Sequence, residues 1–131
     1  MKTFHLEVLT PERQFLNEQV EFVTVEACDG QLTVLAGHAP MVAPIHAGTM
    51  TIQINGEEKR AFHSPGFLEV RPDTVLVFAQ TCEWPEEIDE NRAKAAMERA
   101  TEELRQKQSI LEHRRSEMAL SRAMARLRLK N

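Results

Sequence analysis

The first 85 residues alternate hydrophobic and polar positions in the manner of β-strands. In the segment 3–9, Phe4, Leu6 and Val8 alternate with polar residues, which predicts a half-buried strand. The segment 20–27 is β-branched and continuous, as is typical of a strand covered on both faces. Within 49–63, an Asn-Gly pair separates two strand-like runs, which is the strongest hairpin signal in the chain.

Shorter strand signals fill the rest of this region. They lie at 32–36, 67–70 and 74–79, whereas 37–48 contains two prolines and two glycines and is expected to be an irregular loop. Short strands at this spacing predict an antiparallel β-sandwich or flattened barrel over 1–85, with a modest core.

The remainder, 86–131, contains neither glycine nor proline and has helical periodicity. Asp89 stands where an N-cap is expected, before an apolar stripe made by Ala93, Ala96, Ala100 and Leu104. The stripe loosens over 105–109, and a second helix is predicted from about 110 to 129. Its expected inward positions share small or apolar side chains: Leu111, Met118, Ala119, Ala123 and Leu127.

Two helices with a short connection predict an antiparallel hairpin, so the fold class is α+β. The alanine-rich stripes bury little apolar area, and helices of this length are marginal in isolation. We therefore expect the hairpin to be folded on the sandwich, opened along a partner, or closed by a ligand.

Charge is divided unevenly along the chain. Residues 1–85 carry five Lys/Arg and eleven Asp/Glu, whereas the part from 104 onward carries eight basic and two acidic residues. A basic tail favours a negatively charged partner, although a solvated helix face gives the same pattern. Cys28 and Cys82 lack CxxC spacing and are expected to be buried in a reducing compartment. No signal peptide or membrane-spanning run is evident, which predicts a soluble, cytosolic protein.

Four arginines of the helical region are spaced to share faces. Arg92 and Arg99 are seven apart, and Arg122 and Arg126 are four apart. If these faces converge, their mutual repulsion would be reversed by a bound polyanion, and guanidinium groups match phosphate well. The competing interpretation is that each arginine faces water or pairs with a glutamate on the helices. The candidate glutamates are Glu98, Glu102 and Glu117.

Catalytic and metal-binding patterns are missing from the sequence. There is no phosphate loop, no histidine or cysteine pair with metal-ligand spacing and no nucleophile elbow, so no catalytic or metal-ligating residue is predicted. His38, in a Gly-His-Ala-Pro loop, is a candidate interaction residue, and Trp84 is expected to pack the junction between sheet and helices.

Four segments carry a resemblance that covers the whole chain. They are FHLEVLTPER (4–13), ACDGQLTVLAGHAP (27–40), SPGFLEV (64–70) and EIDENRAKAAMERA (87–100). In order, spacing and total length, the chain resembles the epsilon subunits of bacterial F-type ATP synthases. It departs from the common family pattern at Gln31, Thr33 and Ala36, which affects the detailed contacts at that end of the sandwich.

The resemblance implies a non-catalytic rotor subunit. Its sandwich would bind the gamma subunit and the membrane-embedded c-ring, with Gln31 and His38 at that interface. Its hairpin would extend toward the alpha and beta subunits and block ATP hydrolysis, with the basic residues of the second helix meeting acidic beta-subunit surface. The protein would lie on the cytoplasmic face of the bacterial cell membrane, attached only through the complex.

The resemblance also implies a regulatory ATP site in the folded hairpin, with magnesium left open. Ile88, Asp89, Arg92 and Ala93 match the family's I/L-D-x-x-R-A motif. Glu83, Arg99, Arg122 and Arg126 stand at the other family positions, and Glu83 with the backbone near Ile88 is available for a base. Bound ATP would keep the hairpin in its non-inhibitory state.

Two alternatives stay open at this point. One is a protein-binding rotor adaptor with no nucleotide site. The other is a tail that binds nucleic acid, which is disfavoured because the whole protein is acidic and no aromatic residue follows Trp84.

Overall fold

The computed structural model describes residues 2–106 and 109–130. Ten strands come first, then a single 3-10 turn at Pro85–Glu87, and then helices α1 (Glu90–Arg105) and α2 (Ile110–Lys130). The strands are β1 (Phe4–Leu9), β2 (Gln14–Val20), β3 (Phe22–Ala27), β4 (Gly30–Leu35), β5 (Met41–Ile45), β6 (Gly48–Ile54), β7 (Glu57–His63), β8 (Gly66–Val70), β9 (Thr74–Ala79) and β10 (Cys82–Glu83).

The strands form one sheet that folds over on itself. Its order is β10-β7-β6-β3-β5-β8-β9-β1-β2, with β4 on β3, and β2 contacts β6 although the two are far apart in this order. Every pairing is antiparallel except that of β1 with β9. Fully buried aliphatic side chains such as Leu6, Val23, Ile52, Leu68 and Val77 fill the interior. The predicted α+β class, a β-sandwich followed by two helices, is confirmed.

The predicted hairpin at 49–63 is confirmed. β6 and β7 pair from Gly48 with His63 to Ile54 with Glu57. Asn55 and Gly56 both have positive φ, 52° and 80°, as a two-residue turn of the type that matches strand twist requires.

Four features of the sheet depart from the prediction. β2 was not predicted because its buried residues are separated by the polar run 17–19, which breaks the alternation. The predicted segment 20–27 is divided at Glu21, whose carboxylate accepts from the Gly56 amide and the Gln53 side chain. β5 lies in the predicted loop and contains Pro44; proline is tolerated because β5 pairs with β3 only through Ala27 and Ile45. The two-residue β10 was also missed.

The helix boundaries agree closely with the sequence prediction. The Asp89 carboxylate accepts from the Arg92 amide at 3.0 Å, which confirms it as the N-cap of α1. Within the stripe of α1, Ala93 and Ala100 are buried, and Ala96 and Leu104 are half-buried.

The inward face of α2 was only partly predicted. Ala123 is buried as expected, and Ala119 and Leu127 are half-buried, whereas Leu111 is 59% exposed and Met118 is 49% exposed. The buried positions that were missed are Ser116, which donates to Glu103 on α1, and Ala125, which packs on the sandwich. The prediction was wrong there because α2 contacts both α1 and the sandwich, so no single stripe describes its buried side.

The hairpin is closed against the sandwich through a small interface. Ala125 packs with Phe62 and Ile88, and Ala47 and Leu129 border this cluster. The ammonium group of Lys130 donates to the Pro85 carbonyl at 2.9 Å. Few residues form this cluster, and conditional closure stays a prediction.

The two cysteines differ in environment. Cys82 is buried, and burial raises the pKa of its thiol to about 12. Cys28 is exposed in the β3–β4 turn, so the prediction that both are buried was wrong for this residue. In the described part of the chain no helix is long and apolar enough to cross a membrane.

His63, at the end of β7, is fully buried and follows Phe62, on which α2 packs. Its Nε2 accepts from the Glu26 amide at 3.3 Å, which leaves Nδ1–H to donate to the Ser64 carbonyl at 3.3 Å. Burial lowers the pKa of His63, while the bond to Ser64 and the charge of Glu26 act in the opposite direction. The neutral ring is therefore the form that the fold accommodates.

This geometry predicts an acid-sensitive fold. Below pH ~6.5 the unfolded chain protonates residue 63 and the folded chain does not, so the free energy of unfolding should fall by up to about 1.4 kcal/mol per pH unit. Thermal unfolding of the wild type and of His63→Gln between pH 7.5 and 5 measures this slope. His63→Gln should lack that component, and the exposed His46→Gln should keep it. Equal slopes in the wild type and His63→Gln would refute the assignment.

Candidate functional site

A cavity of about 520 Å³ lies between the two helices, the β1–β2 turn and the linker. The linker is the segment 80–89, which joins β9 to α1. Its volume falls within the usual range of small-molecule sites, about 300–1,000 Å³. The residues around it are mostly charged or small. They are Glu12, Thr81, Glu83, Glu87, Asp89, Arg92, Ala93, Ala96, Arg99 and Arg126.

Six of the eight residues predicted for the nucleotide site lie in this wall. They are Glu83, Asp89, Arg92, Ala93, Arg99 and Arg126. Ala93 is buried, so its small side chain lets the α1 backbone approach the cavity closely. The fold thus brings together the linker, the first three turns of α1 and the end of α2.

The other two predicted residues lie elsewhere. Ile88 is only 4% exposed, and its side chain packs with Phe62 and Ala125 at the docking interface. Arg122 is half-buried on α2 outside the cavity wall. The expected convergence of four guanidinium groups is therefore corrected to three.

Arg126 is held by the protein itself. Its Nε donates to the Glu83 carboxylate at 2.6 Å, and the two side chains are 25% and 19% exposed. The guanidinium group also lies over the Phe62 ring, 4.3 Å from the centroid. This pairing, which the sequence did not predict, neutralises one of the three arginines and ties α2 to β10.

Arg92 and Arg99 are the arginines of the wall without an acidic partner. Within residues 2–106 and 109–130, neither side chain forms a salt bridge. The glutamates proposed as partners do not pair with these arginines within the described residues. Glu102 forms a salt bridge with Arg105, Glu117 forms one with His113, and Glu98 forms none with a described residue. Two positions two turns apart on one helix face thus offer unneutralised donors suited to an anion.

Four carboxylates line the same cavity, and three of them are engaged. Glu83 holds Arg126, Asp89 caps α1, and Glu87 accepts from Arg13 at 2.9 Å. The hydrogen bond from Arg13, followed by that from the Trp84 amide, lowers the pKa of Glu87. The cavity therefore has its free positive charge on α1 and its carboxylates toward the linker.

Sequence reasoning missed Glu12, Thr81, Glu87 and Ala96 as wall residues. Ala96 belongs to the predicted apolar stripe, and its spacing from Arg92 and Arg99 could have indicated its position. Glu12 and Thr81 come from the sandwich, and no local pattern connects them with the helices.

Gln31 and His38 lie on the sandwich, away from this cavity. The Gln31 amide donates to Glu26 at 3.3 Å, and Gln31 is exposed on β4. His38 is half-buried in the turn after β4, with Nδ1 2.8 Å from the Ala39 carbonyl oxygen. Trp84 packs against the sandwich core, stacked on Phe15 with centroids 4.5 Å apart, at the start of the linker.

No cluster of three or more His, Cys, Asp or Glu suited to a metal ion occurs among the residues that the structure describes.

Comparison with known proteins matches both parts of the chain to one family. The model for the ATP synthase delta/epsilon chain β-sandwich domain matches residues 3–85, and that for the delta/epsilon long α-helix domain matches 86–131. The ATP synthase epsilon chain of Caldanaerobacter subterraneus is 51% identical over 129 residues, covering 98% of this chain and 94% of its own. That of Ruminiclostridium cellulolyticum is 48% identical over 131 residues, covering 100% and 98%.

A solved structure shows the same fold at lower identity. A chain of the Euglena gracilis mitochondrial ATP synthase, from a cryo-EM structure of OSCP, F1 and c-ring, superimposes with a TM-score of 0.82 at 24% identity. The match covers 94% of this chain and 78% of that one.

Proposed function

The chain belongs to the delta/epsilon family of ATP synthase chains, and on that basis we propose that it is a regulatory rotor subunit whose folded hairpin binds ATP. It would act without catalysing a reaction itself. ATP in the cavity would favour the closed hairpin, and loss of ATP would release the helices to inhibit hydrolysis.

The rotor role rests on family membership and fold. The partners proposed are the gamma subunit and c-ring for the sandwich, and the alpha and beta subunits for the extended hairpin. The subunit would join the bacterial membrane peripherally, through the complex and on its cytoplasmic face. Gln31 and His38, both on the sandwich and outside the hairpin, are available for the gamma and c-ring contacts.

The observation that carries the ATP proposal is the charge arrangement of the cavity. Arg92 and Arg99 point to an anion because neither forms a salt bridge with another described residue, and guanidinium groups bind phosphate oxygens in a matching geometry. Arg126 stands at the same cavity and can turn from Glu83 toward a phosphate. The carboxylate-rich linker end would receive the base, with Glu83 and the backbone near Ile88 closest to it.

Closure and binding are then linked. The cavity wall takes residues from α1, α2 and the linker, so it exists only while the hairpin is closed. A ligand that binds the closed form and not the open one stabilises closure by ~1.4 kcal/mol at ten times its dissociation constant, a tenfold population shift. High ATP would keep the inhibitory helices on the sandwich.

Isothermal titration of the isolated protein with ATP tests the proposal. We expect saturable one-site binding, and much weaker binding of AMP, because a single phosphate group cannot engage both free arginines. Titration with and without magnesium establishes whether the metal accompanies the nucleotide. Absence of heat at millimolar ATP would refute the sensor role and leave the rotor role unaffected.

One observation favours the alternative of an adaptor with no nucleotide site. The Arg126–Glu83 pair and the Lys130–Pro85 contact join α2 to residues 83 and 85 through the protein's own groups. An adaptor would show the same closed hairpin and the same basic α2, but no ATP-dependent stabilisation. The titration therefore decides between the two proposals.

A further inference from the structure

Arg13, in the β1–β2 turn, fastens the sandwich to the linker beneath the cavity. One of its terminal nitrogens donates to the Cys82 carbonyl at 3.0 Å and to the Glu87 carboxylate at 2.9 Å. The turn that carries it is fixed as well, because the Thr10 amide donates to the Arg13 carbonyl and the Thr10 hydroxyl accepts from the Arg13 amide. Arg13 therefore joins two ends of the linker to a rigid turn.

Aromatic stacking reinforces this attachment. The Arg13 guanidinium lies 5.0 Å from the centroid of Phe15, and Phe15 stacks on Trp84 with centroids 4.5 Å apart. In the sequence, Trp84 lies between Cys82 and Glu87, the two residues that Arg13 binds. The chain is therefore held on both sides of Trp84, which keeps its ring on the sandwich. The linker is thereby attached independently of α2.

Glu87 is the centre of the arrangement. The same carboxylate oxygen that accepts from Arg13 also accepts from the Trp84 amide at 2.9 Å. These two hydrogen bonds lower the pKa of Glu87, so the carboxylate is charged at neutral pH. The linker also carries Glu83, and Asp89 follows two residues after Glu87; both lie in the cavity wall.

We infer that Arg13 is a positioning residue of the nucleotide cavity, which holds the linker so that Glu83 and Asp89 keep their places relative to the arginines of the helices. Arg13 is not itself in the cavity wall, although its neighbour Glu12 is. It acts through Glu87 and the linker backbone. The inference rests on the proposed function, because ATP is taken as the ligand of the cavity.

A double-mutant cycle with Arg13→Met and Glu87→Gln tests this role. Each single variant should weaken ATP binding by about threefold to tenfold, since both lose the Arg13–Glu87 ion pair and Arg13→Met also loses the cation–π contact with Phe15. The double variant should bind no more weakly than the weaker single variant, because the two residues act as one unit. Arg13→Lys should bind more tightly than Arg13→Met and more weakly than the wild type, because an ammonium group keeps the positive charge but lacks the planar guanidinium that lies over Phe15.

The one tryptophan of the sequence supplies a readout that needs no nucleotide. Acrylamide quenching of Trp84 fluorescence should increase in Arg13→Met and return toward the wild-type value in Arg13→Lys. The matched control is Arg71→Met, which removes an exposed pair with Glu69 at 3.1 Å in the β8–β9 turn, at the end of these strands away from the linker. It should change neither the quenching nor the ATP affinity.

The possible failures are distinguishable. Wild-type protein that binds no ATP would overturn the proposed function and this inference with it. Wild-type binding together with unchanged binding by a folded Arg13→Met would overturn the inference alone. Losses that multiply in the double variant would also overturn it, because they would show two independent residues.

Discussion

Arg99→Ala is expected to weaken ATP binding by about 10- to 100-fold while leaving the ligand-free protein as stable as the wild type. Arg99 forms no salt bridge within the described residues, so its removal costs no protein–protein ion pair. The change also removes one of two like charges seven residues apart on α1. Its free energy of unfolding without ATP should remain within about 0.5 kcal/mol of the wild type.

Arg126→Ala should behave differently in the absence of ligand. It deletes the partner of Glu83, a carboxylate that is only 19% exposed, and the cation over the Phe62 ring. Loss of a hydrogen bond to a charged group of this kind costs about 1.5–3 kcal/mol, which is large for the small interface that closes the hairpin. Arg126→Ala should therefore weaken both ATP binding and ligand-free closure.

Comparing Arg99→Ala with Arg126→Ala separates the effect on ATP affinity from the effect on closure of the hairpin. Titration with ATP measures affinity, and amide hydrogen exchange of α2 without ATP measures closure. Arg128→Ala is the control, because Arg128 is exposed on α2, the helix that carries Arg126, and lies outside the nucleotide cavity. Equal ATP affinity in Arg99→Ala and Arg128→Ala would contradict the assignment of the cavity.

The strands and helix ends that the sequence predicted share a purely local cause. The Asn55-Gly56 turn follows from two adjacent residues that accept positive φ, and the start of α1 from a carboxylate that accepts from an amide three residues on. β2 and β5 were missed because their structure depends on pairing with distant strands. The alternation of residues along the chain cannot predict that a strand tolerates Pro44, since this depends on β5 pairing with β3 at only one residue pair.

The candidate site likewise combines features that local sequence predicts with features that depend on the whole fold. The arginine spacing on α1 could be obtained from helical geometry, and the structure places both arginines at one cavity. The pairing of Arg126 with Glu83 could not, because it joins residues 43 apart through the docking of α2 on the sandwich. Arg13 and Glu87 are 74 apart, so their contact likewise depends on the whole fold.

Gly66→Ala is expected to be the most damaging small substitution in the sandwich. Gly66 begins β8 and lies between Ile45 of β5 and Ala79 of β9. A Cβ at this position would overlap the Phe78 carbonyl oxygen and come within 2.8 Å of the Ala79 Cα. Both obstructions are backbone atoms of a paired strand, so neither can move without breaking the ladder.

The expected cost is ~3 kcal/mol or more, which corresponds to a fall in melting temperature of about 10 °C for a domain of this size. Gly48→Ala is the comparison variant, because there a Cβ would overlap the Cγ of Glu26 and lie 2.7 Å from its Cβ, which are side-chain atoms and not the backbone of a paired strand. It should therefore cost about 1–3 kcal/mol, less than Gly66→Ala. Thermal unfolding of both variants measures the difference, and a Gly66→Ala protein as stable as Gly48→Ala would show that β8 and β9 can separate locally. Since β9 leads directly into the linker that carries Glu83, such local separation would also be expected to weaken ATP binding, whereas Gly48→Ala should leave it unchanged.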